Sequence, residues 1–283
     1  MKHRFTFLLL LMLYFGCTSN PFFTDEIRTN KKFSFSGNVQ LPFTTNHSDI
    51  TVYLEGLDVL TKTDTNGDFT IEMPLDPGLQ SGQGLTGFYN VYYYVANYQI
   101  EFSSVFINKG EFAFGVANLD KEGVISEKVV LRQLLDVKTI INPEQIKQNH
   151  SDGMTITVRL ENRVDSVLVF SHFTKDDKLA SAFLADRDFP EENIYLLSQP
   201  SNIHSVLIDS LKFWTMDIFW PVDGSNVDVG SYDVIPYLFV YQPDIPEAMI
   251  NKMGNNVTWF TRDYLKLPFR RQNAELYIEE SSD

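Results

Sequence analysis

The 283-residue chain holds one cysteine, Cys17, so it has a single thiol and no means of forming an internal disulfide. Gly82-Gln83-Gly84-Leu85-Thr86-Gly87 has the G-x-G-x-x-G spacing that seats phosphate at a helix N-terminus. An Asp76-Pro77-Gly78 turn precedes it and the strand-like run Phe88 to Tyr94 follows, so the spacing reads as a loop. Asp64-x-Asn66-x-Asp68 begins like a calcium loop, but Phe69 occupies the position of the sharp-turn glycine. Leu75, without a ligand oxygen, stands where the bidentate glutamate belongs. His47, His150, His172 and His204 are never four residues apart, and neither H-E-x-x-H nor G-x-S-x-G occurs. With 37 carboxylates, close Asp/Glu pairs arise by chance, and Asp176-Asp177 and Glu191-Glu192 read as solvated helix starts rather than hydrolytic acids. No catalytic constellation, cofactor site or metal site emerges.

What remains is stacking. The chain has 23 Phe, 13 Tyr and 3 Trp, an aromatic share that favours pleated, half-buried surfaces. Tyr92-Tyr93-Tyr94 sends rings to both faces of a strand, so where one face is buried Tyr92 or Tyr93 points outward. Tyr92, Tyr93, Trp214, Trp220 and Trp259 are the candidate ligand-facing aromatics, for a protein or glycan partner. The competing reading is that they fill sandwich cores.

The formal charge of −14 limits the partners further. Loss of Lys2 and Arg4 with a leader would make it more negative. Such a body repels phosphate backbones and anionic headgroups, which argues against nucleic acid and against membrane contact through a basic face.

The elements that must position these residues begin at Phe33. Phe33, Phe35, Gly37 and Val39 alternate with polar residues, as do Ile50, Val52 and Leu54. Val59 to Asp64 and Phe69 to Met73 flank Thr65-Asn66-Gly67-Asp68, and Asn66-Gly67 between two alternating runs predicts a β-hairpin. Phe35-x-Gly37-x-Val39, Ile50-x-Val52-x-Leu54-x-Gly56 and Thr63-Asp64-x-Asn66-Gly67-x-Phe69-x-Ile71, then Pro74, resemble the carboxypeptidase regulatory-like domain. The likeness covers 33–137, with Val129-x-Leu131 as a last strand and Asp76 to Gly87 as an insertion. It implies a transthyretin-like β-sandwich with an accessory, non-catalytic role.

Beyond it, Asn142-Pro143-Glu144 predicts a short helix within a linker over 138–153. Met154 to Leu160 and Val164 to Phe170 read as strands, and Leu179, Ala180, Phe183 and Leu184 predict a helix over 176–188. Ile203 to Phe219 holds one or two strands, another runs from Gly230 to Tyr241, and a short helix over 246–253 stops at Gly254. The fold expected is all-β, two β-sandwich domains with a few short helices. The second domain, over 154–270, is immunoglobulin-like, and 271–283 is a polar acidic tail.

The N-terminus supplies the location. Lys2-His3-Arg4 is a positive n-region, and Phe7 to Phe15 is an apolar run too short to span a bilayer as a helix, the form of a signal peptide over 1–16. Leu13-Tyr14-Phe15-Gly16-Cys17 resembles the lipobox of bacterial lipoproteins, with Gly16 at −1 and with Tyr14 and Phe15 departing from the usual pattern. The resemblance implies acylation (palmitate among the chains) of Cys17 and anchoring of a tether over 17–32. No Asp follows Cys17, which favours the outer membrane or cell surface over the inner membrane. The expected function is a non-catalytic binding or scaffold module. The alternatives are an envelope hydrolase with a site in the second domain, or an accessory subunit of a transport or secretion machine.

Overall fold

The computed structural model describes residues 32–74, 85–220 and 227–281. Cys17, Gly82 and Gly84 lie outside them. The fold is all-β, with its strands in two sandwich-like units.

The first unit holds β1 (Ser34–Gln40), β2 (Thr51–Leu54), β3 (Val59–Lys62), β4 (Asp68–Glu72), β5 (Gly87–Tyr94), β6 (Glu101–Asn108), β7 (Glu111–Phe112) and β8 (Val129–Val130). They form two sheets, in the orders β4-β1-β8 and β3-β2-β5-β6-β7. Period-two alternation sends Phe35 and Val39 of β1, Val52 and Leu54 of β2, and Val91 and Tyr93 of β5 into one core. Each such side chain contributes about 1.5–3 kcal/mol by leaving water.

Asn66-Gly67 makes a tight reversal there without making a β-hairpin. Gly67 N–H donates to Asp64 O at 3.0 Å, and Asp64 Oδ1 accepts the N–H groups of Asn66 and Asp68 at 2.8 and 2.9 Å. Gly67 has φ 86°, and a Cβ on it would lie 2.0 Å from the Val39 carbonyl oxygen, so conformation and clearance both require glycine. The flanking strands then part: β3 pairs with β2 and β4 pairs with β1. The pairing that corrects the expected hairpin is β2 with β3, Leu54 opposite Val59. Turn chemistry sets a local reversal; which sheet the next strand joins is decided by core contacts.

The second unit holds β9 (Leu135–Asn142), β10 (Gln145–Lys147), β11 (Gly153–Asn162), β12 (Val167–Phe173), β13 (Ser181–Asp186), β14 (Ile194–Ser198), β15 (Asn202–Ile208), β16 (Lys212–Phe219), β17 (Gly230–Pro236), β18 (Phe239–Val240), α1 (Glu247–Met253) and β19 (Ala274–Glu279). Its sheets run β16-β11-β9, β15-β12-β18 and β10-β19-β17-β13-β14. Val158, Trp214, Val169, Leu184 and Val234 meet in its core. Leu135 and Val137, expected at the end of the first domain, pack in this second core.

Three expected elements differ. The linker helix after Pro143 is absent: β9 runs to Asn142 and β10 resumes at Gln145, because a fixed proline φ suits a bend as well as a first helical turn. The helix over 176–188 is a turn followed by β13. Thr174 N–H donates to Lys178 O at 2.8 Å across that turn, and Ser181 through Ala185 are all buried. A strand covered on both faces loses its period-two signature, and its apolar run imitates helical spacing. The acidic tail is β19, which lies between β10 and β17 with Leu276 and Ile278 buried and Glu275 and Tyr277 turned outward. The run toward Tyr241 breaks after Pro236, and β17 and β18 join different sheets. The short helix α1 does end at Gly254.

A third apolar cluster joins the units. Tyr53, Tyr94 and Ala96 of the first meet Phe183, Tyr237, Met249 and Tyr264 of the second. Phe183 and Tyr264 stack at 5.4 Å and 9°. Buried Asn97 adds a polar clamp: its Nδ2 donates to Leu135 O and Arg270 O, and its Oδ1 accepts Arg270 N–H at 3.0 Å. The buried amide thereby satisfies its donors and its acceptor together.

Candidate functional site

Most of the aromatics singled out in the sequence are core residues. Trp214 is 7% exposed and packs edge-on against Phe173 at 4.9 Å. Trp220 is 5% exposed, and its Nε1 donates to Gln148 O at 3.0 Å. Tyr93 is fully buried, and burial pushes its hydroxyl up to about 12 despite Ser103. Those three pack in the two cores. Trp259 is exposed in the turn after α1. Tyr92 is half-buried and remains accessible.

The histidines are dispersed. The His172 ring lies 5.2 Å from Tyr237 and 5.7 Å from Phe260, and burial lowers its pKa. His204 lies 6.2 Å from the Phe173 ring, and His47 Nδ1 accepts Leu41 N–H at 3.1 Å. Among the described residues no three His, Cys, Asp or Glu side chains gather as a metal site. A cleft of about 660 Å³ between the units is lined by Arg262, Lys266, Arg270 and Arg271 beside Asp49 and Asp263, and by neither His172 nor His204. Its charges are largely engaged: Lys266 pairs with Asp263 at 2.6 Å, and Arg271 lies over Tyr264 at 5.4 Å.

A different surface gathers chemistry. Antiparallel pairing of β5 with β6 sets Phe88 opposite Phe106, Asn90 opposite Ser104 and Tyr92 opposite Phe102. All six lie on the outer face of their sheet, because Val91, Tyr93, Val105 and Ile107 take the inner one. Phe88 and Phe106 approach to 4.9 Å at 52°, and Tyr92 and Phe102 to 5.7 Å at 44°. Such tilted pairs add about 0.5–1.5 kcal/mol to the area they bury. Phe88 and Phe102 nonetheless remain 69% and 60% exposed.

Between the ring pairs runs a polar bridge. Ser104 Oγ donates to Asn90 Oδ1 at 3.2 Å, and Asn90 Nδ2 donates to Glu55 Oε2 at 3.1 Å and to the Tyr92 hydroxyl at 3.4 Å. Burial raises the Tyr92 pKa, and the charges of Glu55 and Asp244 add to it against the Asn90 hydrogen bond. The surface is thus two aromatic pairs around a hydrogen-bonded centre, with acidic neighbours. It offers stacking faces and hydrogen-bonding groups side by side.

Sequence reasoning found only Tyr92 of this set. The missed signal is a shared pattern: Phe88-x-Asn90-x-Tyr92 and Phe102-x-Ser104-x-Phe106 are both aromatic-polar-aromatic at period two. An antiparallel pairing centred on Asn90 and Ser104 superposes them.

No family model matches the chain, and no curated protein matches it. Among solved structures it is similar to BcpA*(D312A), the major pilin subunit of Bacillus cereus, with 9% identity and a TM-score of 0.25 over 85% of this chain and 99% of that one. It is also similar to the Bacillus anthracis TIE protein, with 8% identity and a TM-score of 0.23 over 88% of this chain and 50% of that one. The chain spans about half the length of that second structure.

Proposed function

We propose that the chain is a lipid-anchored protein of the bacterial envelope that acts as a non-catalytic binding module. On this reading the leader ends before Cys17, and acylation of that cysteine holds the body at the outer membrane or cell surface. The first unit, β1 to β8, is then the carboxypeptidase regulatory-like, transthyretin-like sandwich, and the second, β9 to β19, the immunoglobulin-like one. Among the described residues no helix is long and apolar enough to cross a membrane.

The observation that carries the binding role is the outer face of β5 and β6. Exposed Phe88 and Phe102 sit in a ring quartet built around hydrogen-bonding groups, on a face whose other end is already buried. Exposed rings set around polar groups in this way suit a binding surface. Two experiments test the two halves of the reading. Metabolic labelling with a fatty acid should mark the wild type and not Cys17→Ser, which should be released as soluble protein; continued labelling of the variant removes the anchor. Capture from envelope extracts should depend on the Phe88 and Phe102 rings, and equal capture by Phe88→Ala/Phe102→Ala removes the surface from the account.

A further inference from the structure

We infer that the exposed end of this sheet face is a platform for an uncharged oligosaccharide of glucose-type pyranose rings. The inference rests on the binding-module reading and names the ligand of that same surface.

Three observations select this chemistry. The first is the alternation of rings with polar groups. Glucose-type sugars present C–H groups on the faces of the ring and hydroxyls around its edge. Stacked on Phe88, Phe106, Tyr92 or Phe102, a pyranose covers an aromatic face while its hydroxyls reach the Asn90–Ser104–Glu55 bridge. An apolar protein surface laid on the same patch would bury that bridge with acceptor positions unmet, at a cost of about 1–3 kcal/mol for each unsatisfied group. Sugar hydroxyls both donate and accept, so they meet it without that cost.

The second is charge. Glu55 and Asp244 both act on the Tyr92 hydroxyl, in a chain of net charge −14. Uronic acids, phosphorylated glycans and anionic headgroups are repelled there, and an uncharged chain is not. The third is extent. Phe88 and Tyr92 are four residues apart on one strand, about 13 Å at the rise of a β-strand, more than one pyranose spans. Ring pairs tilted at 52° and 44° make two shallow seats rather than one flat plane, which suits a single flexible chain.

The test is calorimetric titration of the intact chain with cellohexaose, maltohexaose and hexa-N-acetylchitohexaose, with hexagalacturonate as the acidic counterpart. Saturable heat with at least one neutral hexasaccharide is expected, together with at least tenfold weaker binding by Phe88→Ala/Phe102→Ala, a variant that should still unfold in one cooperative transition and be fully folded at the titration temperature. Hexagalacturonate should give no saturable heat. No saturable heat with any of the three neutral chains, equal affinity in the double variant, or preference for hexagalacturonate overturns the assignment. If the neutral chains fail while capture from envelope extracts still depends on Phe88 and Phe102, the glycan assignment falls and the binding-module reading stands. If that capture is also independent of the two rings, both fall.

Discussion

The outer face of the β3-β2-β5-β6-β7 sheet is one surface in two environments. At one end Tyr53 and Tyr94 are fully buried beneath the second unit, in contact with the cluster that holds Phe183, Tyr237 and Tyr264. At the other end Phe88 and Phe102 stay 69% and 60% exposed. Strand β5 contributes to both ends, with Tyr94 covered and Phe88 open only six residues away. The difference teaches that ring content on a strand does not assign a role. The neighbouring element does, because the same aromatic that supplies cohesive energy when covered is a free stacking surface when left open.

The widest separation between the two ends should appear in stability. Tyr94→Ala removes a fully buried ring and should cost about 3–5 kcal/mol, whereas Phe88→Ala gives up one exposed ring pair and should cost about 0.5–1.5 kcal/mol. Chemical unfolding midpoints compare them, and equal costs would break the division. Gly67→Ala tests the opposite sheet, where the added Cβ meets the Val39 carbonyl oxygen at φ 86°. A loss of more than about 1 kcal/mol is expected in the same measurement, without effect on ligand capture.

Smaller changes sharpen the covered end. The Tyr53 hydroxyl donates to Asp58 Oδ1 at 2.6 Å, so Tyr53→Phe should cost about 1 kcal/mol. The Tyr94 hydroxyl is buried with no protein partner among the described residues. Tyr94→Phe should therefore be neutral or stabilising by up to about 1 kcal/mol; a loss equal to that of Tyr53→Phe would show that Tyr94 holds a bond of its own. The smallest effect concerns His172, whose pKa burial lowers below 6.5. Its folded form binds fewer protons than the unfolded chain, so its contribution is present above about pH 6.5 and is lost as pH falls through the lowered value. Between pH 7 and pH 5 the thermal midpoint of wild type should therefore drop further than that of His172→Gln.

Much of the strand pattern could be read directly from residue types. Phe35, Gly37 and Val39 alternate because only one face of β1 meets the core, and α1 ends where Gly254 relieves the backbone. The losses have physical causes. Ser181 to Ala185 are buried on both faces, so their run has no period, and the pairing of β4 with β1 depends on contacts that Asn66-Gly67 cannot encode. Leu276 and Ile278 were hidden among Glu275, Glu279 and Glu280, although their spacing is that of a strand. For the candidate surface, Tyr92 was visible from the Tyr92-Tyr93-Tyr94 run. Its partners Phe102, Asn90 and Ser104 were not, because they meet only through a cross-strand register.

The division of the sheet face is tested most directly by hydroxyl-radical footprinting of the intact chain, with oxidation read residue by residue. Phe88 and Phe102 should be oxidised rapidly while Tyr53 and Tyr94 on the same face are protected. Comparable oxidation of all four rings would contradict the account, because the second unit would then not cover the end of the sheet it is held to bury.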